Sequence, residues 1–404
     1  MKEDISLEQA QQILLERVRH RRETYVSLWE AAGRILSQDI IAGNNQPAFP
    51  SSRVDGYALR AEDIRDASHS NPVGLRVLEA TRAGYAARHT VSRGTAIKVM
   101  TGAPVPQGAD AIMKYEDLQQ GTDVIEVYHP LRPGKNILLA GRDIRINETI
   151  ARRGQKITPS VLGLIVGTGL SEVPVFEGLT AALISTGDEL VNPSANLDPG
   201  KIYPSNLYTL HARCQELGVT SLPMGIIKDD KEVIAEYLLE GLRKADIVIT
   251  TGGVSAGDYD LLKDAMKSIG TEVLFDRIAI RPGSAMVAGR VMDQFVIGLS
   301  GNPAAAFIVF DLLTVPLLRK MMGQDQPLPT MIQGRLSHDF AKQGSQRRLV
   351  RGILYNHNGV NYIRINDDKT RGVLVSMAEC NVLVDLPADI QKVQAGEKVT
   401  ACKI

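Results

Sequence analysis

The sequence has few of the residues that build disulfide frameworks or transition-metal sites. Its 404 residues include three cysteines, Cys214, Cys380 and Cys402, which lie far apart and form no CxxC pair. Seven histidines are scattered without an HExxH spacing. These absences argue against a disulfide framework, a structural zinc site and a histidine-based metal site. A hard cation held by carboxylates is compatible with the composition.

The sequence also lacks a net charge and a long apolar run. Lys plus Arg and Asp plus Glu both total 46, so no global field favours nucleic acid or an anionic membrane surface, and we expect neither as a partner. No uncharged apolar stretch is long enough for a signal peptide or a membrane span, so we expect a cytoplasmic protein. Any anion site must be local.

The composition that is present, 44% hydrophobic and 23% charged, is typical of a globular chain, and 404 residues exceed what one core usually supports. Ser6 and Gln9 form a capping-box pattern that predicts a first helix, and a second short helical pattern covers 28–35. A turn-rich stretch at 44–52 then marks a boundary.

Three further regions follow, which together predict a multidomain α/β plus β protein. Short runs separated by Gly and Pro predict a small β-rich domain over 51–141. Apolar strands alternating with helices over 179–323 predict a central three-layer α/β domain with a parallel sheet. After the linker at 324–329, alternating patterns predict a C-terminal β domain, barrel-like, over 328–404.

Three glycine-containing loops follow predicted strands of the α/β domain, at 184–190, 250–260 and 298–303. Glycines at a strand end let backbone N–H groups approach a ligand, and a following helix N-terminus favours negative charge. Each loop alone is also explained as a tight turn. Because the carboxyl ends of parallel strands share one edge of a sheet, we expect the three to line one anion-binding crevice. Nearby, Arg277 and Arg281 offer positive charge to a phosphate or another oxyanion, although a solvated charged loop has the same pattern.

Read together, these segments resemble the molybdopterin molybdenumtransferase family, which includes the bacterial insertase MoeA and the gephyrin E-domain. The resemblance extends over essentially the whole chain, in order. The ordered motifs are residues 52–58 (SRVDGYA), 101–111 (TGAPVPQGADA), 185–190 (STGDEL), 252–260 (GGVSAGDYD) and 301–303 (GNP).

The resemblance implies an elongated homodimer of four structural parts, in which 1–50 and 142–178 form one discontinuous N-terminal domain of helical and mixed structure. It implies that adenylylated molybdopterin and molybdate are the substrates. It further implies that Mg²⁺ assists cleavage of the phosphoanhydride, and that the molybdenum cofactor and AMP are the products.

The resemblance also implies roles for individual residues. The implied catalytic residues are Asp55, Asp143, Asp229 and Asp260. The implied metal ligands are Glu189, Asp229 and Asp260, since Mg²⁺ prefers hard oxygen ligands. The implied substrate-binding residues are Thr101, Thr186, Gly187, Glu189, Gly252, Gly253, Ser255, Arg277, Arg281, Ser300, Asn302, Pro303, Arg348, Arg351 and Ser376.

The sequence departs from the family pattern at several positions, including Arg277 and Arg281 in place of lysines and Ser300 in place of a proline. Ser284 replaces the second lysine of a K-P-G-K-P run, and Leu138 and Arg142 replace an arginine and an acidic residue. These departures favour an alternative, a divergent paralogue that binds a pterin nucleotide without inserting metal. A dimeric scaffold of the gephyrin type is a second alternative.

Overall fold

The computed structural model of this chain describes residues 2–19, 22–254, 261–342, 344–366 and 372–404. The first strand, β1 (Lys2–Ile5), runs parallel to the distant strand Glu272–Ile278. Helix α1 (Leu7–Leu15) begins at the predicted capping box: the Ser6 hydroxyl accepts a bond from the Gln9 N–H, and the Gln9 side chain accepts one from the Ser6 N–H. Its buried Leu14 packs into the core of the α/β unit. Residues 2–15 therefore pack with the α/β unit, which differs from the domain division expected above.

Two short strands, β2 (Glu23–Ser27) and β3 (Ile40–Ile41), complete the N-terminal stretch. The helix predicted over 28–35 is wrong, because this segment forms turns and an isolated bridge. Gly33 has a φ of 81°, and its N–H donates to the Ile157 carbonyl rather than within a helix.

The region 51–141 forms a separate β unit around its own apolar core. Its strands are β4 (Ser51–Ser52), β5 (Gly56–Leu59), β6 (Val73–Thr81), β7 (Thr95–Val99), β8 (Ala111–Lys114), β9 (Leu118–Gln120), β10 (Val124–Val127) and β11 (Ile137–Leu138), with 3-10 turns at Ala61–Ile64 and Tyr115–Asp117. Six strands form one sheet in the order β8-β5-β7-β6-β10-β9, and β11 pairs with β4.

The chain then returns to the N-terminal stretch. Strand β12 (Thr149–Ala151) pairs with β3, and β13 (Glu172–Phe176) pairs with β2. Helix α2 (Pro159–Gly167) lies between them and is capped by the Thr158 hydroxyl. Buried residues of both stretches share one core, which joins 22–50 to 142–178 as one discontinuous unit.

The α/β unit holds a seven-stranded sheet in the order β1-β17-β18-β19-β16-β14-β15. Its remaining elements are β14 (Thr180–Thr186), α3 (Ser205–Leu217), β15 (Thr220–Ile227), α4 (Lys231–Lys244), β16 (Ile247–Thr251), α5 (Leu261–Ser268), β17 (Glu272–Ile278), β18 (Met286–Val291), β19 (Gln294–Leu299), α6 (Pro303–Val309) and α7 (Val315–Met321). Alternate strand residues face two separate cores, one shared with α1, α3, α6 and α7 and the other with α4 and α5, which gives the three layers.

The sheet is parallel except for β18, which runs antiparallel to both of its neighbours. This differs from the all-parallel sheet expected from the alternation of strands and helices. The reason is that a loop and a two-residue turn, rather than helices, connect β17, β18 and β19. The 279–285 loop consequently lies at the edge where the parallel strands end.

The C-terminal region contains the predicted barrel, closed in the order β20-β23-β22-β24-β26. Its elements are β20 (Met331–Leu336), β21 (Phe340–Ala341), β22 (Arg348–His357), β23 (Val360–Ile365), α8 (Val373–Glu379), β24 (Val382–Leu386), β25 (Lys392–Val393) and β26 (Lys398–Lys403). Within the described ranges, no helix combines the length and the apolar character needed to cross a membrane.

Candidate functional site

The described residues of the three glycine loops, 184–190, 250–254 and 298–303, lie side by side at the carboxyl edge of the sheet. Strands β14, β16 and β19 are mutually parallel neighbours, so their ends meet there. Gly252 has a φ of 90°, its N–H donates to the Leu299 carbonyl at 3.1 Å, and a Cβ at this position would lie 2.1 Å from the Thr186 carbonyl oxygen. Only glycine fits this position, because a side chain would force the first two loops apart.

The third loop is held by side chains on both sides. The Asn302 side chain caps α6 by accepting from the Ala305 N–H at 3.2 Å, and Pro303 occupies the first turn. Asn206 at the start of α3 donates to the Gly301 carbonyl at 2.9 Å. The backbone of this loop is therefore fixed before any ligand arrives.

Beside these loops lies a cavity of about 720 Å³ where the α/β unit meets the barrel. One wall is the 281–285 loop, a second is formed by Ser300, Asn302 and Ala305, and the third is formed by 344–346 with Arg348. Two guanidinium groups, several hydroxyls and two amides thus face one space. Such a lining suits a multiply charged, oxygen-rich anion.

The predicted residues Arg281, Ser300, Asn302 and Arg348 line this cavity, whereas Arg277 is not part of its lining. Arg277 lies in β17 with a φ of 60° and is exposed. Arg281 is held in place by the barrel strand: its N–H donates to the Arg347 carbonyl at 2.9 Å, and its own carbonyl accepts from the Leu349 N–H at 2.9 Å.

Two other predicted anion-binding residues contact each other. Arg351 and Ser376 are 3% and 0% exposed, and the Arg351 Nε donates to the Ser376 hydroxyl at 2.9 Å. The Asn366 side chain donates to the Ser376 carbonyl at 3.3 Å. These residues hold α8 against β22, and they are not part of the cavity lining.

The predicted metal ligands Glu189 and Asp229 follow adjacent parallel strands, β14 and β15. The Gly187 N–H donates to the Ile227 carbonyl at 3.2 Å, which joins their two loops, and both carboxylates are exposed. Two accessible carboxylates fit Mg²⁺, which uses few protein ligands and completes its shell with water and substrate phosphates. Ser255 and the third predicted ligand, Asp260, lie outside the described residues, and within those residues no cluster of three or more candidate ligands occurs.

Thr186 ends β14 beneath the second loop and is 2% exposed. Its hydroxyl has no hydrogen-bond partner among the described residues, and it lies 3.0 Å from where a Cβ of Gly253 would stand. A buried hydroxyl without a partner is a candidate for a bond to ligand or to ordered water.

Asp55 and Thr101 meet in the small β unit, where β5 begins opposite the end of antiparallel β7. One oxygen of Asp55 accepts from both the N–H and the hydroxyl of Thr101, at 2.7 and 2.8 Å. These two bonds lower the pKa of the Asp55 carboxyl, so it is ionised at neutral pH. Asp143 is exposed in the discontinuous unit, where its N–H donates to the Gln46 carbonyl. The cavity lies between the α/β unit and the barrel. Asp55, Thr101 and Asp143 of the same chain lie in the other two units.

Ser345 and Gln346 line the third wall of the cavity and were not predicted from the sequence. The sequence around them gives little indication of a binding role, because a short polar segment before a strand is typical of a turn. Their proximity to Arg281 is a long-range contact that no local pattern reveals.

Three family models match the chain in succession. They are the MoeA N-terminal region (domain I and II) over 5–169, a probable molybdopterin binding domain over 182–320 and the MoeA C-terminal region (domain IV) over 333–404.

Relatives and solved structures agree over nearly the whole length. A molybdopterin molybdenumtransferase 2 of Mycobacterium tuberculosis is 36% identical over 399 residues, covering 98% of each chain. A molybdopterin molybdenumtransferase of Bacillus subtilis is 32% identical over 380 residues, covering 93% of this chain and 88% of that protein. A crystal structure of the molybdopterin biosynthesis moeA protein from Pyrococcus horikoshii superposes with a TM-score of 0.86 at 30% identity, covering 100% of both chains.

Proposed function

This chain belongs to the molybdopterin molybdenumtransferase family, and on that premise we propose that it transfers molybdenum from molybdate to adenylylated molybdopterin and releases AMP. The observation that carries the proposal is the cavity at the carboxyl edge of the sheet, where Arg281 and Arg348 face the serine and asparagine side chains of the 298–303 loop. This lining can hold a tetrahedral dianion beside the glycine loops, where a phosphate-bearing ligand would bind.

The carboxylates divide into two groups with different tasks. Glu189 and Asp229 would hold Mg²⁺ at the diphosphate, together with Asp260, and the cation would neutralise charge that builds up as AMP departs. Asp55 is kept ionised by Thr101 and can accept a hydrogen bond or a proton from a bound substrate.

The reaction is tested by incubating the protein with adenylylated molybdopterin, molybdate and Mg²⁺ and by measuring AMP. We expect Asp229→Asn and Arg281→Ala to reduce AMP release at least tenfold, as each removes a charge from the site. Arg364→Ala, on an exposed face of β23, is the matched control and should leave the rate unchanged. Tight pterin-nucleotide binding without AMP release from the unaltered protein would favour the non-inserting paralogue instead.

We also propose that the protein is a homodimer in which Asp55 of one protomer serves the cavity of the other. Supporting this, α2 buries Val161 and Ile165 but leaves Leu164 and Val166 41% and 50% exposed, an apolar surface of the kind that subunit contacts cover.

Mixed dimers test this arrangement. We expect Asp55→Ala and Arg281→Ala proteins each to lose most of their activity. Mixed dimers of the two should regain about a quarter of the unaltered activity, since random assembly rebuilds that share of sites with both residues intact. If each site lies within one chain, the mixture gains nothing.

A further inference from the structure

Arg281 and Gln346 contact each other across the junction of the α/β unit and the barrel. The Arg281 Nε donates to the Gln346 Oε1 at 2.7 Å, and both residues line the 720 Å³ cavity. Arg281 comes from the loop after β17, whereas Gln346 precedes the barrel strand β22. The two walls of the cavity are therefore linked through the side chain that brings positive charge to it.

The backbone around this contact is fixed on both sides. Arg281 pairs in a parallel bridge with Arg348, through the bonds to Arg347 and Leu349 described above. What the backbone leaves free is the long, exposed side chain of Arg281, which has many rotamers. The Gln346 oxygen engages one of its five N–H donors and so selects one orientation, leaving the others for an anion.

A neutral hydrogen-bond acceptor at position 346 can orient the Arg281 guanidinium without neutralising its charge. A carboxylate at position 346 would also orient the guanidinium, but it would form an ion pair and cancel the charge that an anion needs. A glutamine orients the guanidinium and leaves its charge intact.

We propose that Gln346 is the positioning residue for Arg281 at an oxyanion subsite that is assembled only where the barrel meets the α/β unit. The ligand of this subsite would be a tetrahedral oxyanion. The inference rests on the proposed function in one respect: it takes molybdate, rather than a phosphate group of the nucleotide, as the anion that occupies the subsite.

The test measures binding of molybdate, and separately of inorganic phosphate, to the full-length protein by calorimetry. Gln346→Met keeps the side-chain length but removes the acceptor, and it should weaken molybdate binding about tenfold, the effect of one hydrogen bond to a charged group. Gln346→Glu should weaken it further, because it places a negative charge in the site. Phosphate should bind more weakly than molybdate to the unaltered protein. Gln333→Met, on the exposed side of β20, is the matched control and should bind normally.

A double-mutant cycle separates positioning from a general structural effect. In an Arg281→Met background, Gln346→Met should cause no further loss of molybdate binding. The inference is overturned if Gln346→Met weakens binding equally in both backgrounds, if either Gln346 variant binds like the unaltered protein, if phosphate binds more tightly than molybdate, or if the unaltered protein binds neither anion.

AMP release from adenylylated molybdopterin, measured on the same proteins, distinguishes this inference from the proposed function. Normal AMP release without coupling between Gln346 and Arg281 overturns only the positioning role. Coupling in anion binding without AMP release from the unaltered protein overturns only the transferase proposal.

Discussion

Asp55 illustrates how one neighbour sets the charge of a functional group. Thr101 provides both bonds that lower the pKa of the Asp55 carboxyl, and the carboxylate is otherwise exposed. At the residue scale, the motif at 52–58 and the motif at 101–111 thus form one unit, because antiparallel pairing of β5 with β7 brings them together.

Removing the Thr101 hydroxyl should change the pH dependence of the reaction. In Thr101→Val, the backbone bond to Asp55 persists but the hydroxyl bond is lost, so the pKa of Asp55 rises toward its ordinary value. Asp55 then becomes protonated at a higher pH, and the acid limb of a pH–rate profile of AMP release should move upward, with little change near pH 8. Thr101→Ser should restore the original limb. An unshifted limb in Thr101→Val would show that Asp55 does not govern it.

Gly252 should tolerate no side chain. Gly252→Ala places a Cβ against the Thr186 carbonyl and requires a φ of 90°, so it should cost roughly 1–3 kcal/mol of stability and weaken pterin-nucleotide binding. Gly301→Ala is the control, because a Cβ there lies 3.7 Å from the nearest atom and the backbone is not left-handed. Thermal unfolding of both variants measures the difference, and equal melting temperatures would contradict the steric argument.

At the scale of elements, the helix that follows the 298–303 loop is interrupted. Between α6 and α7, residues Phe310–Thr314 form a π-helical segment. Pro316 follows within one turn and has no N–H to donate, which accounts for a local change of pitch. The segment places Asp311, 3% exposed, against Arg213 of α3, with a 2.9 Å bond from Nε to Oδ1.

Breaking this ion pair should be costly, and more so at neutral pH. Burial raises the pKa of Asp311, and Arg213 offsets part of that rise. Arg213→Met removes the offset and should cost about 3–5 kcal/mol at pH 7, the effect of leaving a buried charge without its partner. A carboxyl whose pKa is raised on folding costs nothing below its unfolded-state pKa, so the destabilisation should shrink as the pH falls toward 4.

Two comparisons make this prediction specific. The double variant Arg213→Met/Asp311→Leu should recover much of the lost stability, and Arg243→Met, exposed on α4, should change it little. A loss that does not depend on pH would show that packing of the arginine stem, rather than its charge, was responsible.

At the scale of the whole molecule, Arg347 joins the two ends of the chain. Its guanidinium contacts Glu8 of α1 at 2.6 Å and makes two bonds to Asp385 of β24, at 2.8 and 2.6 Å. These partners raise the pKa of Arg347, so it stays charged at any working pH. The barrel is thereby attached to α1.

Arg347→Met should loosen the barrel without unfolding it. The main-chain carbonyl of residue 347 still accepts from Arg281, but the ion triad is lost, so limited proteolysis should cleave the 324–329 linker several times faster. High salt should reproduce part of this effect in the unaltered protein, because half-exposed pairs are screened. Lys392→Met removes an exposed pair with Asp339 inside the barrel and serves as control. Equal cleavage rates for the two variants would contradict a docking role for Arg347.

Local sequence was sufficient for the elements whose determinants are local. The capping box of α1 and the three strand-end glycine loops follow from short-range chemistry and were predicted. The helix predicted at 28–35 was wrong because its hydrogen bonds go to Ile157 and to β13, far along the chain.

Only the tertiary structure decided which residues share a site. The reversed direction of β18 brings the 281–285 loop to the edge where β16 and β19 end, and the barrel then places Ser345 and Gln346 opposite it. The same packing buries Arg351 against Ser376 and places β1 in the sheet of the α/β unit. The sequence by itself determined the glycines, the carboxylates and their order along the chain, because backbone geometry and charge are properties of single residues. The cavity required contacts between residues more than 60 positions apart, and such contacts depend on how whole elements pack.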